Sequence, residues 1–114
     1  MIDTNVFLEV LLARSKKDEC EEFLRLLQTG KEEAVVTDFS IHTILIIMGR
    51  LKLWRELKVF LSSLSAYRGL KVHPTGINDE LRAVELSRRT KLSIEDALQY
   101  SSAVSLRVRG IVSF

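Results

Sequence analysis

The run Ala34-Val35-Val36-Thr37-Asp38-Phe39-Ser40-Ile41-His42 passes directly from a β-rich segment into a helix. Its valines favour extended backbone, and either Thr37 or Asp38 can satisfy the first amides of the helix that opens through Ser40-Ile41-His42. That helix is apolar almost all round from Ile44 to Met48, so it is expected to lie against a sheet. A strand delivered straight into a helix is the repeating unit of a parallel sheet.

The same alternation extends in both directions. Toward the N-terminus, Lys17 onward places Cys20, Phe23, Leu24, Leu26 and Leu27 at helical spacing, with Thr29-Gly30-Lys31 as the stop. Before it, Asn5 to Ala13 is dense in apolar residues and reads as a buried helix, and Met1-Ile2 reads as the end of a short strand. Toward the C-terminus, Leu53 to Ala66 predicts a helix with Trp54, Leu57, Phe60, Leu61 and Leu64 inward, followed by a strand at Leu70-Lys71-Val72. Asn78 is expected to cap a helix that carries Asp79 and Glu80 in its first turn and runs through Leu81, Val84 and Leu86 to the basic end at Arg88-Arg89-Thr90-Lys91. Ser93 then caps a last helix, with Leu98, Ala103, Val104 and Leu106 as its buried face, ending near Arg109-Gly110. Ile111-Val112-Ser113-Phe114 closes the chain as a β-like run. The expected fold is α/β: a single three-layer domain over residues 1–114, with a short, mostly parallel four-stranded sheet flanked by helices. Ending on a strand is unusual and points to further residues beyond Phe114.

Composition narrows the function. A chain of 114 residues with 46% hydrophobic content can bury a core without disulfides or a structural metal. Its formal charge of +2 is too small for a general electrostatic grip on nucleic acid, so any such contact must be local. The lone Cys20 has no partner for an intramolecular disulfide, which fits a reducing cytoplasm. The longest apolar run, Ile44 to Gly49, is far short of the roughly 20 residues of a membrane span. The N-terminus also lacks a basic region leading into an apolar one.

In parallel sheets, ligand sites form beyond the carboxyl ends of strands. Asp3 follows the first expected strand, Thr37-Asp38 the second, Pro74 to Asp79 the third, and Ser113 ends the fourth. Asp96, opening the last helix, can turn toward the same edge. Two such carboxylates can share a hard ion, Mg²⁺ or Mn²⁺, while leaving positions for water and phosphate.

Ile2-Asp3-Thr4-Asn5-Val6-Phe7-Leu8 resembles the opening signature of PIN domains, an apolar strand ending in Asp-Thr-Asn. Leu92-Ser93-Ile94-Glu95-Asp96-Ala97-Leu98, followed by Ala103, is similar to the segment carrying that family's third acid, and Ile111-Val112-Ser113 to its closing strand. The resemblance implies a metal-dependent endoribonuclease, of the VapC toxin type or an RNA-processing factor, with Asp3 and Asp96 as catalytic metal ligands for Mg²⁺ or Mn²⁺. It implies RNA as substrate and, for the toxin type, an antitoxin protein as partner, while Leu53, Trp54 and Leu57 offer a surface for a homodimer or an antitoxin. The family's second acid is a Glu early in the helix after the second strand, where this chain has Phe39-Ser40-Ile41-His42-Thr43-Ile44. Its last acid lies just past the closing Ser or Thr, where this chain stops. Either Asp38 or His42 then serves as a substitute ligand, or the protein is a catalytically weakened module that binds RNA or protein.

Each candidate has a plainer reading. Asp3 and Asp96 can be helix caps or their neighbours, His42 a boundary residue, and Thr4, Asn5 and Ser113 either orient the acids or merely shape turns. Arg50, Lys52, Arg55 and Lys58 form one basic cluster and Arg88, Arg89 and Lys91 another. Both could hold a phosphate backbone, or be solvated faces. Leu53, Trp54 and Leu57 belong either to the core or to a docking surface.

Overall fold

The computed structural model describes residues 1–106. Those residues form α1 (Thr4–Leu11), α2 (Lys17–Thr29), β1 (Ala34–Thr37), α3 (Asp38–Arg50), α4 (Trp54–Leu64), β2 (Leu70–His73), α5 (Ile77–Arg89) and α6 (Ile94–Ser105). β1 and β2 pair in parallel, from Ala34 opposite Leu70 to Thr37 opposite His73. The fold is thus mixed α/β, with a parallel sheet as the alternation requires.

That sheet has two strands among the described residues, not four. Met1-Ile2 contributes only a bridge, in which the Ile2 amide donates to the Val35 carbonyl at 2.8 Å. The reason is local: Asp3 already caps α1, so the chain turns into a helix before a second pair can form. The expected strand at Ile111 to Phe114 and the helix end at Arg109-Gly110 lie outside the described residues.

The main core gathers Ile2, Val6, Phe7 and Leu8 with Cys20, Leu24 and Leu27, Val36, Ile44 and Met48, Leu57 and Phe60. Phe7 meets Phe60 edge to face, their ring centroids 5.3 Å apart. A smaller cluster joins Ala83 of α5 to Ala97 and Leu98 of α6, with Phe39 and Leu86 against it. No helix among the described residues is long and apolar enough to cross a membrane.

Several faces are turned differently from the sequence expectation. On α4, Leu57, Phe60 and Leu64 share one side, and at about 100° per residue Trp54 and Leu61 fall on its flank. Trp54 is accordingly 63% exposed. On α6, Leu98 and Ala103 are buried, but Val104 and Leu106 are exposed, because the buried side is set by Ala97, Leu98 and Ser102. On α5 the buried positions are Asp79 and Ala83, leaving Leu81 and Val84 exposed. α5 also begins earlier than expected: Gly76 is its N-cap, and Asn78 lies inside its first turn.

Two tight backbone passages frame this arrangement. A Cβ on Gly69 would stand 1.9 Å from the Glu32 carbonyl oxygen, so only glycine lets β2 begin against the segment that leads into β1. The corner between α3 and α4 is a Schellman turn, in which Lys52 N–H donates to the Gly49 carbonyl and Leu53 N–H to that of Met48. Lys52 occupies the left-handed position at φ +58°, where glycine is the usual residue and a lysine costs roughly 1 kcal/mol.

Candidate functional site

Asp3 stands as the N-cap of α1, its Oδ1 accepting from the Asn5 amide at 3.3 Å. Thr4 is buried beside it, and its hydroxyl has no hydrogen-bond partner among the described residues. Asn5 points to solvent. At the other end of the sequence, Ser93 caps α6 by accepting from the Asp96 amide at 3.1 Å. This leaves the Asp96 carboxylate in the first helical turn, not spent on capping.

Glu95 links the two. Partial burial first, then the charges of Asp96 and Asp3, push its carboxyl above the usual range. The first turn of α6 and the start of α1 therefore lie within electrostatic reach of each other, and Glu95 feels both aspartates. Glu95 stands in the quoted sequence motif but was not among the expected ligands. The adjacent Glu95-Asp96 doublet was the available signal, and its closeness to Asp3 is visible only in the fold.

Asp38 is placed differently. Its Oδ1 accepts from the Thr75 amide at 3.0 Å and the Thr75 hydroxyl at 2.7 Å, tying the end of β1 to the end of β2. Thr37, not Asp38, caps α3, its hydroxyl accepting from the Ser40 amide. Burial alone would raise the Asp38 carboxyl, but the two Thr75 bonds, the Phe39 amide and the neighbouring His42 hold it below the ordinary range. His42 itself is exposed on α3. Beyond the same strand ends, Asp79 accepts from the Gly76 amide at 3.0 Å and pairs with Arg82, and His73 approaches it at 3.7 Å. The Gly76 bond, against the opposing effect of burial and with help from Arg82 and His73, also depresses the Asp79 carboxyl.

Both depressed carboxyls contribute stability that is fully present above their unfolded pKa and is lost as pH falls through the lower folded values. Asp38→Asn is expected to flatten the acid side of the unfolding profile. Urea midpoints followed from about pH 5 to about pH 3, a range spanning the unfolded Asp value near 4, should fall less steeply than in the wild type. An unchanged slope would remove the Thr75 clamp from the account.

The basic clusters also separate. Arg88 donates to Glu85 at 2.6 Å and Arg89 approaches the same carboxylate at 3.7 Å, so one acid tempers that knot. Arg50 and Lys52 are exposed at the α3–α4 corner. Ser113 lies outside the described residues.

Among the described residues no group of three or more His, Cys, Asp or Glu side chains is disposed to hold a metal ion. The donors at the acidic edge are nevertheless oxygen only, and the orphaned Thr4 hydroxyl beside Asp3 is the kind of buried group that an ordered water satisfies. This donor chemistry fits a hydrated hard cation, with water and substrate oxygens completing its shell. Two grooves lie elsewhere, one between α5 and α6 with Arg82, Tyr100 and Val104, the other among α1, α2 and α4 with Phe7, Leu24 and Tyr67; neither includes the acids. The family model of the PIN domain matches residues 1–114, the whole chain. No curated protein and no solved structure matches it.

Proposed function

Since this chain belongs to the PIN domain family, whose general character is that of a nuclease, we propose that it is a Mg²⁺- or Mn²⁺-dependent endoribonuclease acting as one domain over residues 1–114. The reading is supported by the family match over the whole chain, together with a fold that brings the first turn of α6, which carries Asp96, near Asp3 at the start of α1. Asp3 and Asp96 would hold the ion. When bound, such an ion would lower the pKa of a coordinated water and offset charge on the scissile phosphate.

The protein's own contribution is positional. The cap bond from the Asn5 amide orients the Asp3 carboxylate, and the Ser93 cap fixes the backbone that carries Asp96 at the start of α6. Glu95, with its raised carboxyl, adds negative potential when ionised and can carry a proton at a higher pH than an ordinary glutamate. Asp38, the acid that opens α3, is engaged by Thr75, and no carboxylate stands in Phe39-Ser40-Ile41-His42-Thr43-Ile44, where the family has its Glu.

Calorimetric titration of Mn²⁺ into the wild type and Asp3→Asn tests this. Binding in the wild type that the variant loses supports the site and justifies an RNA cleavage screen. Heat in neither protein would sink the metal-dependent reading and leave a PIN fold that works by binding alone.

A further inference from the structure

The segment from Arg50 to Lys58 carries four cations and the single anion Glu56, a net +3, more than the +2 of the whole chain. None of Arg50, Lys52, Arg55 and Lys58 enters an ion pair among the described residues, in contrast to Arg88 and Arg89 with Glu85. In their midst stands Trp54, the sole tryptophan, largely exposed. Its six-membered ring passes over Gly49, where even an added Cβ would lie 3.7 Å from it, so the backbone of α3 supports one part of the indole. An exposed aromatic side chain flanked along the chain by exposed cations that make no ion pair among the described residues is a poor protein-core fragment. It combines the two elements of sequence-tolerant single-strand binding, a stacking surface for a base and charges for the flanking phosphates.

Lys52 is the independent observation. It holds the left-handed position of the Schellman turn, where glycine would be easier for the backbone. An exposed cation thus occupies the strained position of the corner, between Arg50 and Trp54 in sequence.

We propose that the α3–α4 corner is an RNA-docking exosite, at which Trp54 stacks on a base and Arg50, Lys52, Arg55 and Lys58 contact the phosphates of single-stranded RNA. This rests on RNA being the substrate. α3 has 13 residues and so spans about 20 Å, which sets the corner apart from the strand ends by a few nucleotides of extended single strand. The exosite would thus grip a strand outside the segment being cut, favouring substrates longer than the cleavage site alone.

The test uses the full chain in EDTA, so that nothing is cleaved, and an oligouridylate of roughly 12 nucleotides, within the usual range of single-strand sites. Binding should quench the emission of Trp54 and weaken steeply with salt, with a log–log slope of about −3 for four phosphate contacts. Trp54→Ala should bind about tenfold more weakly, and Trp54→Phe should recover much of the loss. Lys52→Gly should bind several-fold more weakly while its thermal midpoint stays the same or rises, a combination that a merely structural lysine would not produce. Oligouridylate binding with unchanged Trp54 emission, or equal affinity in Trp54→Ala, overturns the exosite. So does emission that changes with protein concentration alone, which would make the corner a self-association surface. RNA cleavage by a protein whose Trp54 ignores RNA sinks only the exosite; quenching without cleavage in Mn²⁺ sinks only the nuclease.

Discussion

Asp3→Asn is expected to slow RNA cleavage by about a hundredfold or more in Mg²⁺ or Mn²⁺, and to leave the folding stability nearly unchanged. The two halves of the expectation have separate physical origins. Asparagine is as good an N-cap as aspartate, so the bond from the Asn5 amide to the Asp3 oxygen survives the exchange. What disappears is the negative charge, and with it the attraction for a hard cation; even partners outside a metal's ligand set are worth 10 to 100-fold when removed. Asp3→Ala is the control, because it removes cap and charge together and should cost about 1 kcal/mol of stability as well. Single-turnover cleavage of a labelled RNA alongside urea unfolding reads both quantities. Normal cleavage by Asp3→Asn would return Asp3 to the plainer role of helix cap and remove the main support for a nuclease centred there.

Phe7→Ala should be the most damaging single change to the fold, at about 3–5 kcal/mol. Phe7 is 1% exposed, lies in the middle of α1 and packs its ring edge to face against Phe60 of α4. Truncation leaves a cavity between two helices that the backbone of α1 cannot close, since Ile2 is tied to Val35 on one side and Val6 and Leu8 are buried on the other. A loss of this size is a large share of the 5–15 kcal/mol typical of a domain. Urea denaturation followed by circular dichroism measures it; a loss below about 1 kcal/mol would contradict the core described here.

Where sequence reading succeeded, the signal was short-range. Thr37 and Ser93 were legible as capping residues because a hydroxyl and an amide three positions apart meet in any helix start. The apolar spacing of α2 and the stop at Gly30 were legible for the same reason, and Gly30 does take the left-handed conformation at φ +81°. Where reading missed, the outcome depended on which of several apolar flanks another element covers. Trp54 and Leu61 have the hydrophobicity of core residues and the periodicity of their helix, yet the space beside α1 is filled by Leu57 and Phe60.

The sequence by itself determined the alternation of helices with the two strands at Ala34–Thr37 and Leu70–His73, the family signature around Asp3 and Asp96, and the caps that hold both helix starts. These rest on interactions within about one helical turn, which every chain of this sequence makes wherever it folds. Only the tertiary structure decided that Asp38 clamps Thr75 across the strand ends, that the start of α6 lies near Asp3, and that Trp54 faces solvent beside cations that make no ion pair among the described residues. Each of these is a meeting of groups distant along the chain. Chain closure and competition for buried volume select such meetings, and no local pattern encodes them.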